Sequence, residues 1–199
     1  MRGRLVYVMG ASGAGKDSLI REMLRRFRGL PLAAVRRHIT RTASVEGERH
    51  IAVSRERFEA LAAAGRFSLH WTSHGLCYGI SIHAEQALAC GVSLLVNGSR
   101  TAFAEAVRRY PDLVPVLVTA KPHLLRERLL ARGRESGAEL EERLAGALFA
   151  LPEHDSLPWI RIDNSGHLHE AASLLEQELR SKLPLSDRNR HRGRSASPD

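Results

Sequence analysis

Between Gly10 and Ser18 the chain reads Gly-Ala-Ser-Gly-Ala-Gly-Lys-Asp-Ser, residue types and a spacing that can hold a string of phosphates. Glycines let the backbone curl tightly and leave room for phosphate oxygens against main-chain N–H groups. The cradle would run over Gly10, Ala11, Ser12, Gly13, Ala14 and Gly15. A helix starting where the curl ends would add unpaired N–H donors and a partial positive charge. Lys16 stands where an ammonium can reach the outer phosphates of a nucleotide. The chemistry indicated is transfer or cleavage of a phosphoryl group. The spacing from Gly10 to Gly15-Lys16 fits the P-loop, in which Ser or Thr comes next and holds Mg²⁺ with its hydroxyl. Here that place is taken by Asp17, with Ser18 one step later. Asp17 has two readings: a hard oxygen ligand for Mg²⁺, direct or through water, or an acidic residue of the kind favoured in a helix first turn.

Such a loop needs a strand before it and a helix after it. Leu5 to Met9 is a short apolar run, and Leu19, Ile20, Met23, Leu24 and Phe27 share one face of the run that follows. Apolar and amphipathic runs alternate through the rest of the chain, which predicts an α/β fold with a mainly parallel sheet flanked by helices. Further strands are expected at Leu32–Thr40, Phe67–Trp71, Val92–Val96, Leu113–Thr119 and Trp159–Ile162. Pro115 points to an edge or irregular position for the fourth of these. Helices are expected within Ala52–Gly65 and over Ile82–Cys90, Pro122–Ala131, Ala138–Ala150 and His167–Lys182, with a turn at Gly75–Gly79. Sites in open α/β sheets lie at the carboxyl ends of strands. That places Arg41 and Arg100 well for a second substrate. Asn97 ends an apolar strand where many P-loop proteins carry a metal-organising aspartate. His38, His50, His70 and His74 read individually as surface or hydrogen-bonded histidines.

The length of 199 residues suits one domain with a real core, and 43% hydrophobic content is ordinary. No run is long and apolar enough to span a membrane, no signal peptide is expected, and Cys77 and Cys90 suggest neither a disulfide framework nor zinc. A reduced, cytoplasmic protein is expected. The net charge of +8 favours polyanionic partners, and Arg180 to Asp199 contributes half of it, with six Lys or Arg against two Asp. No helix-turn-helix, RNP or zinc-finger signature accompanies that charge, so a phosphate-rich small molecule is expected rather than nucleic acid. Pro184 to Asp199 reads as a disordered basic tail. A homo-oligomer is left open.

Arg126, Arg128, Arg132, Arg134 and Arg143 gather around the break at Gly133–Gly137. An arginine-bearing flap there would place positive charge on the group in flight and exclude water. The alternative is solvated helix faces, with Glu127, Glu135, Glu139, Glu141 and Glu142 as ion-pair partners. Arg126 fits the second description, Arg132 the first, and spacing alone does not divide Arg134 and Arg143.

Taken together, the chain resembles the guanylate kinase-like branch of the P-loop small-molecule kinases. The matching pieces are GASGAGKDSL, ITR (Ile39–Arg41), EGE (Glu46–Glu48), YGIS (Tyr78–Ser81) and RLLARGRES with Arg143 downstream. In that branch the middle region binds the phosphate acceptor and the RxxxRGR segment forms a lid. The resemblance implies Arg132 near the adenine of ATP and Arg143 near the transferred phosphate. The guanine-reading half is not kept. Leu69 falls where a glutamate reads the guanine edge, a second acceptor arginine falls at Ser44 or Val45, a tyrosine falls near His50, and the strand-end aspartate is Asn97.

The chain is more closely similar to the ribose 1,5-bisphosphate phosphokinase family, associated with bacterial phosphonate breakdown. GKDSL, HITR, HIA (His50–Ala52), the YG pair, LVNGSR (Leu95–Arg100) and RGRE carry that similarity, and Asp17 and Asn97 are normal there. It implies transfer from ATP, with Mg²⁺, to α-D-ribose 1,5-bisphosphate, giving 5-phospho-α-D-ribose 1-diphosphate. It also implies a kinase domain over 1–183, with an acceptor region at about 36–81, a lid at about 126–145 and a tail at 184–199. Lys16, Arg132, Arg134 and Arg143 would act on the moving phosphoryl group. Asp17 and Ser18 would serve the metal, and Arg41, His50, Tyr78, Asn97 and Arg100 would surround the sugar phosphate. The competing expectations are a nucleoside monophosphate kinase, against which Leu69 and Asn97 speak, and a non-catalytic nucleotide-binding module, against which the intact Lys16 speaks.

Overall fold

In the computed structural model, which describes residues 1–42, 50–132, 137 and 157–185, the apolar runs sort into two sheets. The larger has five parallel strands in the order β2-β7-β1-β8-β9. These are β1 (Leu5–Gly10), β2 (Leu32–Ala34), β7 (Ser93–Asn97), β8 (Val114–Thr119) and β9 (Ile160–Asp163). The smaller has the order β4-β3-β6-β5, from β3 (His38–Ile39), β4 (Ile51–Ala52), β5 (Phe67–Ser73) and β6 (Leu76–Ser81). The helices are α1 (Lys16–Arg26), α2 (Arg55–Ala63), α3 (His83–Ala89), α4 (Phe103–Arg109), α5 (Pro122–Arg132) and α6 (Leu168–Lys182).

β1 lies between β7 and β8, and its alternation divides the interior in two, because successive side chains leave a strand on opposite faces. Val6 and Val8 join Leu19, Met23 and Phe27 of the α1 segment and Leu175 and Leu179 of α6. Leu5, Tyr7 and Met9 join Phe103 and Ala106 of α4 and, from the smaller sheet, Leu69, Trp71 and Ile80. The second core therefore fastens the smaller sheet to the larger. Arg26 ties α1 to α6 through Glu176 at 2.9 Å.

Three local expectations change. Leu32–Thr40 is two strands in different sheets. Its first part pairs with β7, the chain crosses at Val35–Arg37, and β3 pairs with β4 and β6. An uninterrupted apolar pattern carries no mark of such a transfer. Leu76–Gly79, expected as part of a turn, belongs to strand β6; the turn itself is His74-Gly75, both at positive φ. β8 is interior despite Pro115. The Thr119 carbonyl accepts from Asn164 N–H on the β9 side, and by alternation the Pro115 nitrogen faces that side too. β9 pairs only from Val116 onward, so the missing N–H interrupts no ladder. Helix α4 is an addition: Phe103 and Ala106, both buried, are its inward stripe. The helix expected at Ala138–Ala150, most of the lid region and the tail beyond Leu185 lie outside the described residues.

Candidate active site

The carboxyl ends of β1, β7, β8 and β9 converge on the Gly10–Ser18 loop. Gly15 caps α1 in the left-handed region, φ +88°, where a side chain would be strained. A Cβ there would also strike the Asn164 amide. Asn164, only 4% exposed, donates from Nδ2 to the Ala14 carbonyl at 2.8 Å. Arg128 of α5 donates to the carbonyls of Asn164, at 3.0 Å, and Gly13, at 3.4 Å. The loop is thus braced from behind by the end of β9 and by α5. No motif marks Asn164, and Arg128 shows in the sequence only as one of the clustered arginines, because both act through carbonyl contacts made across the fold. Lys16 Nζ donates to the Gly10 and Ala11 carbonyls at 2.8 and 2.9 Å, so the ammonium is held within the curl.

The two departures from the usual P-loop pattern meet. Asn97, at the end of β7, donates from Nδ2 to Asp17 Oδ1 at 2.7 Å. The pair holds one carboxylate and one amide, with the carboxylate on α1 rather than on the strand. Mg²⁺ takes hard oxygens, keeps several waters and needs one or two carboxylates beside substrate phosphates. The Asp17 carboxylate, with the Ser18 hydroxyl one residue on, fits that demand. Among the described residues no three His, Cys, Asp or Glu side chains gather as a transition metal would require.

The loop after β7 is held by Tyr7. Its hydroxyl donates to the Ser99 carbonyl at 2.9 Å and accepts from the Ser99 N–H at 3.0 Å. Gly98 lies against the Tyr7 ring so closely that a Cβ would collide with it. Burial pushes the Tyr7 hydroxyl up to about 12 from 10, against smaller opposing effects of Ser99 and the Arg37 charge. The unfolded chain ionises Tyr7 near pH 10 and the folded one near 12. Its stabilising contribution is therefore complete below pH 10 and is lost as pH rises toward 12. Two pKa units correspond to about 3 kcal/mol. Unfolding by denaturant at pH 9 and pH 11.5 should show this loss in the wild type and a smaller one in Tyr7→Phe. Equal losses would show that Tyr7 does not govern the alkaline limb. Arg100, on the same loop, is half-buried, and burial pushes its guanidinium below its usual value.

On the smaller sheet, Arg41 follows β3. Its Nε is buried and has no hydrogen-bond partner among the described residues. A cavity of about 420 Å³ beside it is lined by Thr40, Arg41, Thr42, Val53, Ser54 and Arg55, among others. His50 is buried, and its Nε2–H donates to the Arg41 carbonyl at 3.1 Å, which fixes the backbone that carries Arg41. Tyr78 stacks on Trp71, centroids 5.5 Å apart and planes 7° from parallel. Leu69 is 2% exposed, within the second core. Arg37, which sequence reasoning passed over, is 7% exposed with its guanidinium 5.1 Å from the Tyr78 ring centre. Arg132 ends α5; Arg134, Arg143, Ser44, Val45 and Glu46–Glu48 lie outside the described residues.

No protein-family model matches the chain. Several curated proteins do. A ribose 1,5-bisphosphate phosphokinase PhnN of Azotobacter vinelandii is 46% identical over 183 residues, covering 92% of this chain and 98% of the relative. Proteins of the same name from Desulfomicrobium baculatum and Pseudomonas paraeruginosa are 46% and 47% identical, covering 86% and 88% of this chain and 91% and 94% of their own lengths. Among solved structures, guanylate kinase from Anaplasma phagocytophilum superposes with a TM-score of 0.66 at 18% identity, over 94% of this chain and 90% of that one. That likeness establishes a guanylate kinase-like fold.

Proposed function

The chain belongs to the ribose 1,5-bisphosphate phosphokinase family, and from that membership we propose that it moves the γ-phosphoryl group of ATP onto the C1 phosphate of α-D-ribose 1,5-bisphosphate. The products are ADP and 5-phospho-α-D-ribose 1-diphosphate. The observation that carries this reading is the joining of a phosphate loop to an acceptor wall that, among the described residues, offers charge, with Leu69 in the place of a base-reading carboxylate. Leu69 is sealed in the core, and the cavity beside β3 is lined by Arg41 and Arg55.

Main-chain N–H groups from Ala11 to Lys16 would hold the donor phosphates, and Lys16 would exchange its two carbonyls for phosphate oxygens. Asp17 and Ser18 would hold Mg²⁺, which when bound neutralises charge on the oxygens of the transferred group. Arg41, Tyr78 and Arg100 would meet the acceptor, with His50 fixing Arg41 and Asn97 fixing Asp17. Arg132, Arg134 and Arg143 would close over the moving group from the lid. The attacking oxygen belongs to a phosphate already ionised at neutral pH, so no general base is required. Catalysis then rests on positioning and charge neutralisation. Among the described residues no helix is long and apolar enough to cross a membrane, which suits a small-molecule kinase.

With ATP and Mg²⁺, ribose 1,5-bisphosphate should yield a new diphosphate on the sugar by ³¹P NMR, and GMP should stay untouched. Turnover of GMP alone would overturn the reading.

A further inference from the structure

We propose that Asn164, at the end of β9, is a positioning residue for the donor phosphates: it holds the Ala14–Gly15 peptide so that the Gly15 N–H faces them. This rests on the ATP-dependent kinase reading above. A cradle made of main chain binds an anion only while its N–H groups face inward and its carbonyls face out. The carbonyls here are drawn to donors of two kinds. Gly10 and Ala11 are held by Lys16 Nζ, Ala11 also by the Ala14 N–H at 3.2 Å, and Gly15 by the Leu19 N–H at 3.0 Å, all within the loop and the first turn of α1. Gly13 and Ala14 depend on side chains from elsewhere in the fold, Arg128 at 3.4 Å and Asn164 at 2.8 Å. The Asn164 bond is the shorter, and its donor is buried.

The Ala14–Gly15 peptide is a unit that needs holding. Among the described residues there is no cis peptide bond, and in a planar trans unit the C=O and the N–H point opposite ways. With its carbonyl drawn to Asn164, this unit directs the Gly15 N–H away from β9 and into the curl, where it joins the donors at the start of α1. That N–H has no acceptor among the described residues. Gly15 stands at φ +88°, and a glycine takes either sign of φ at little cost. Left unheld, the unit can turn over, which puts an oxygen where the N–H stood and repels a phosphate. Asn164 opposes that turn from a fixed base. Its own N–H donates to the Thr119 carbonyl at 2.8 Å, and its carbonyl accepts from Arg128 at 3.0 Å. Only a donor serves at this place. The carboxylate of an aspartate would push the Ala14 carbonyl away, and an apolar side chain would leave it without its bond.

The test uses the full-length protein, wild type beside Asn164→Asp, which keeps the volume, and Asn164→Leu, which removes the hydrogen-bonding group. Affinities for ADP with Mg²⁺ and for adenosine, which carries no phosphate, are measured by competition with ATP. Both variants should bind ADP about 10- to 100-fold more weakly, the range of one charge-assisted hydrogen bond, and adenosine within about threefold of wild type. A second measurement needs no variant to fold. The Gly15 amide proton of the wild type should move downfield in NMR spectra when ADP is added, as an N–H bonded to phosphate does, and in Asn164→Asp it should not. Unchanged ADP affinity in both variants, or a wild-type Gly15 amide that stays in place, would overturn the proposal. So would equal losses for ADP and adenosine, which would make Asn164 a packing or base-side residue. Wild-type protein that binds ADP no better than adenosine would instead bring down the kinase reading, and this one with it.

Discussion

Lys16→Ala is expected to lower kcat by roughly 10³-fold or more, the cost of removing one preorganised charge from a phosphoryl-transfer site. Its thermal midpoint should move by only a few degrees. Lys16 Nζ donates to the Gly10 and Ala11 carbonyls in a part-buried setting. Their loss amounts to about 1 kcal/mol each at most, because water can reach the freed oxygens. Activity is followed by ADP release under saturating ATP and acceptor, and folding by a melting curve on the same sample. A kcat within tenfold of wild type would remove Lys16 from the chemistry, and a collapsed melting curve would make it a structural residue.

The second large effect is expected at Asp17. If its carboxylate serves Mg²⁺, Asp17→Asn should cost about 10²-fold in kcat and raise the Mg²⁺ needed for half-maximal rate, since Mg²⁺ favours charged oxygen ligands. If it is only a favourable charge in the first turn of α1, the same change should cost about 0.3–1 kcal/mol of stability and leave the Mg²⁺ requirement as it was. The 2.7 Å bond from Asn97 makes a sharper test available. The double exchange Asp17→Asn, Asn97→Asp restores one carboxylate and one amide to the pair, with the acid now on β7. It should recover at least tenfold of the rate lost by the single change. Binding of Mn²⁺, read by its paramagnetic resonance, should fall in the single variant and return in part in the double one. A double variant no better than Asp17→Asn would show that the acid is required on α1 specifically.

Residues that act through local spacing were legible in the sequence. Gly10 to Lys16 announce their geometry within one turn of chain, and the apolar runs of β1, β7 and β8 read directly as buried parallel strands. Asn97 and Asp17 were each visible as departures. Their contact was not, because 80 residues separate them and only the pairing of β1 with β7 brings them together. Asn164 and Tyr7 were invisible for the same reason, and Arg128, visible as one of the clustered arginines, gave no sign of its contact. Each braces the site by a bond to a backbone carbonyl that any residue type would offer. Arg37 was hidden within an expected strand, since the sequence shows no signal at the point where Leu32–Thr40 leaves one sheet for the other. Pro115 misled because a missing N–H matters only on the side where a neighbour is already paired.

The route of the chain through the two sheets also bears on how such enzymes diversify. Among the described residues the larger sheet and its helices come from β1, α1, β2 and the elements after Ser81, while the smaller sheet falls within the single stretch of chain from Val35 to Ser81. Inheritance can therefore act on the two halves at different speeds. A lineage can retain the phosphate cradle and rewrite the intervening passage, so long as Leu69, Trp71 and Ile80, or apolar substitutes, still plug into Leu5, Tyr7 and Met9. On the proposed assignment of the acceptor to the smaller sheet, new acceptors can be acquired within one cassette, without reopening the phosphate loop.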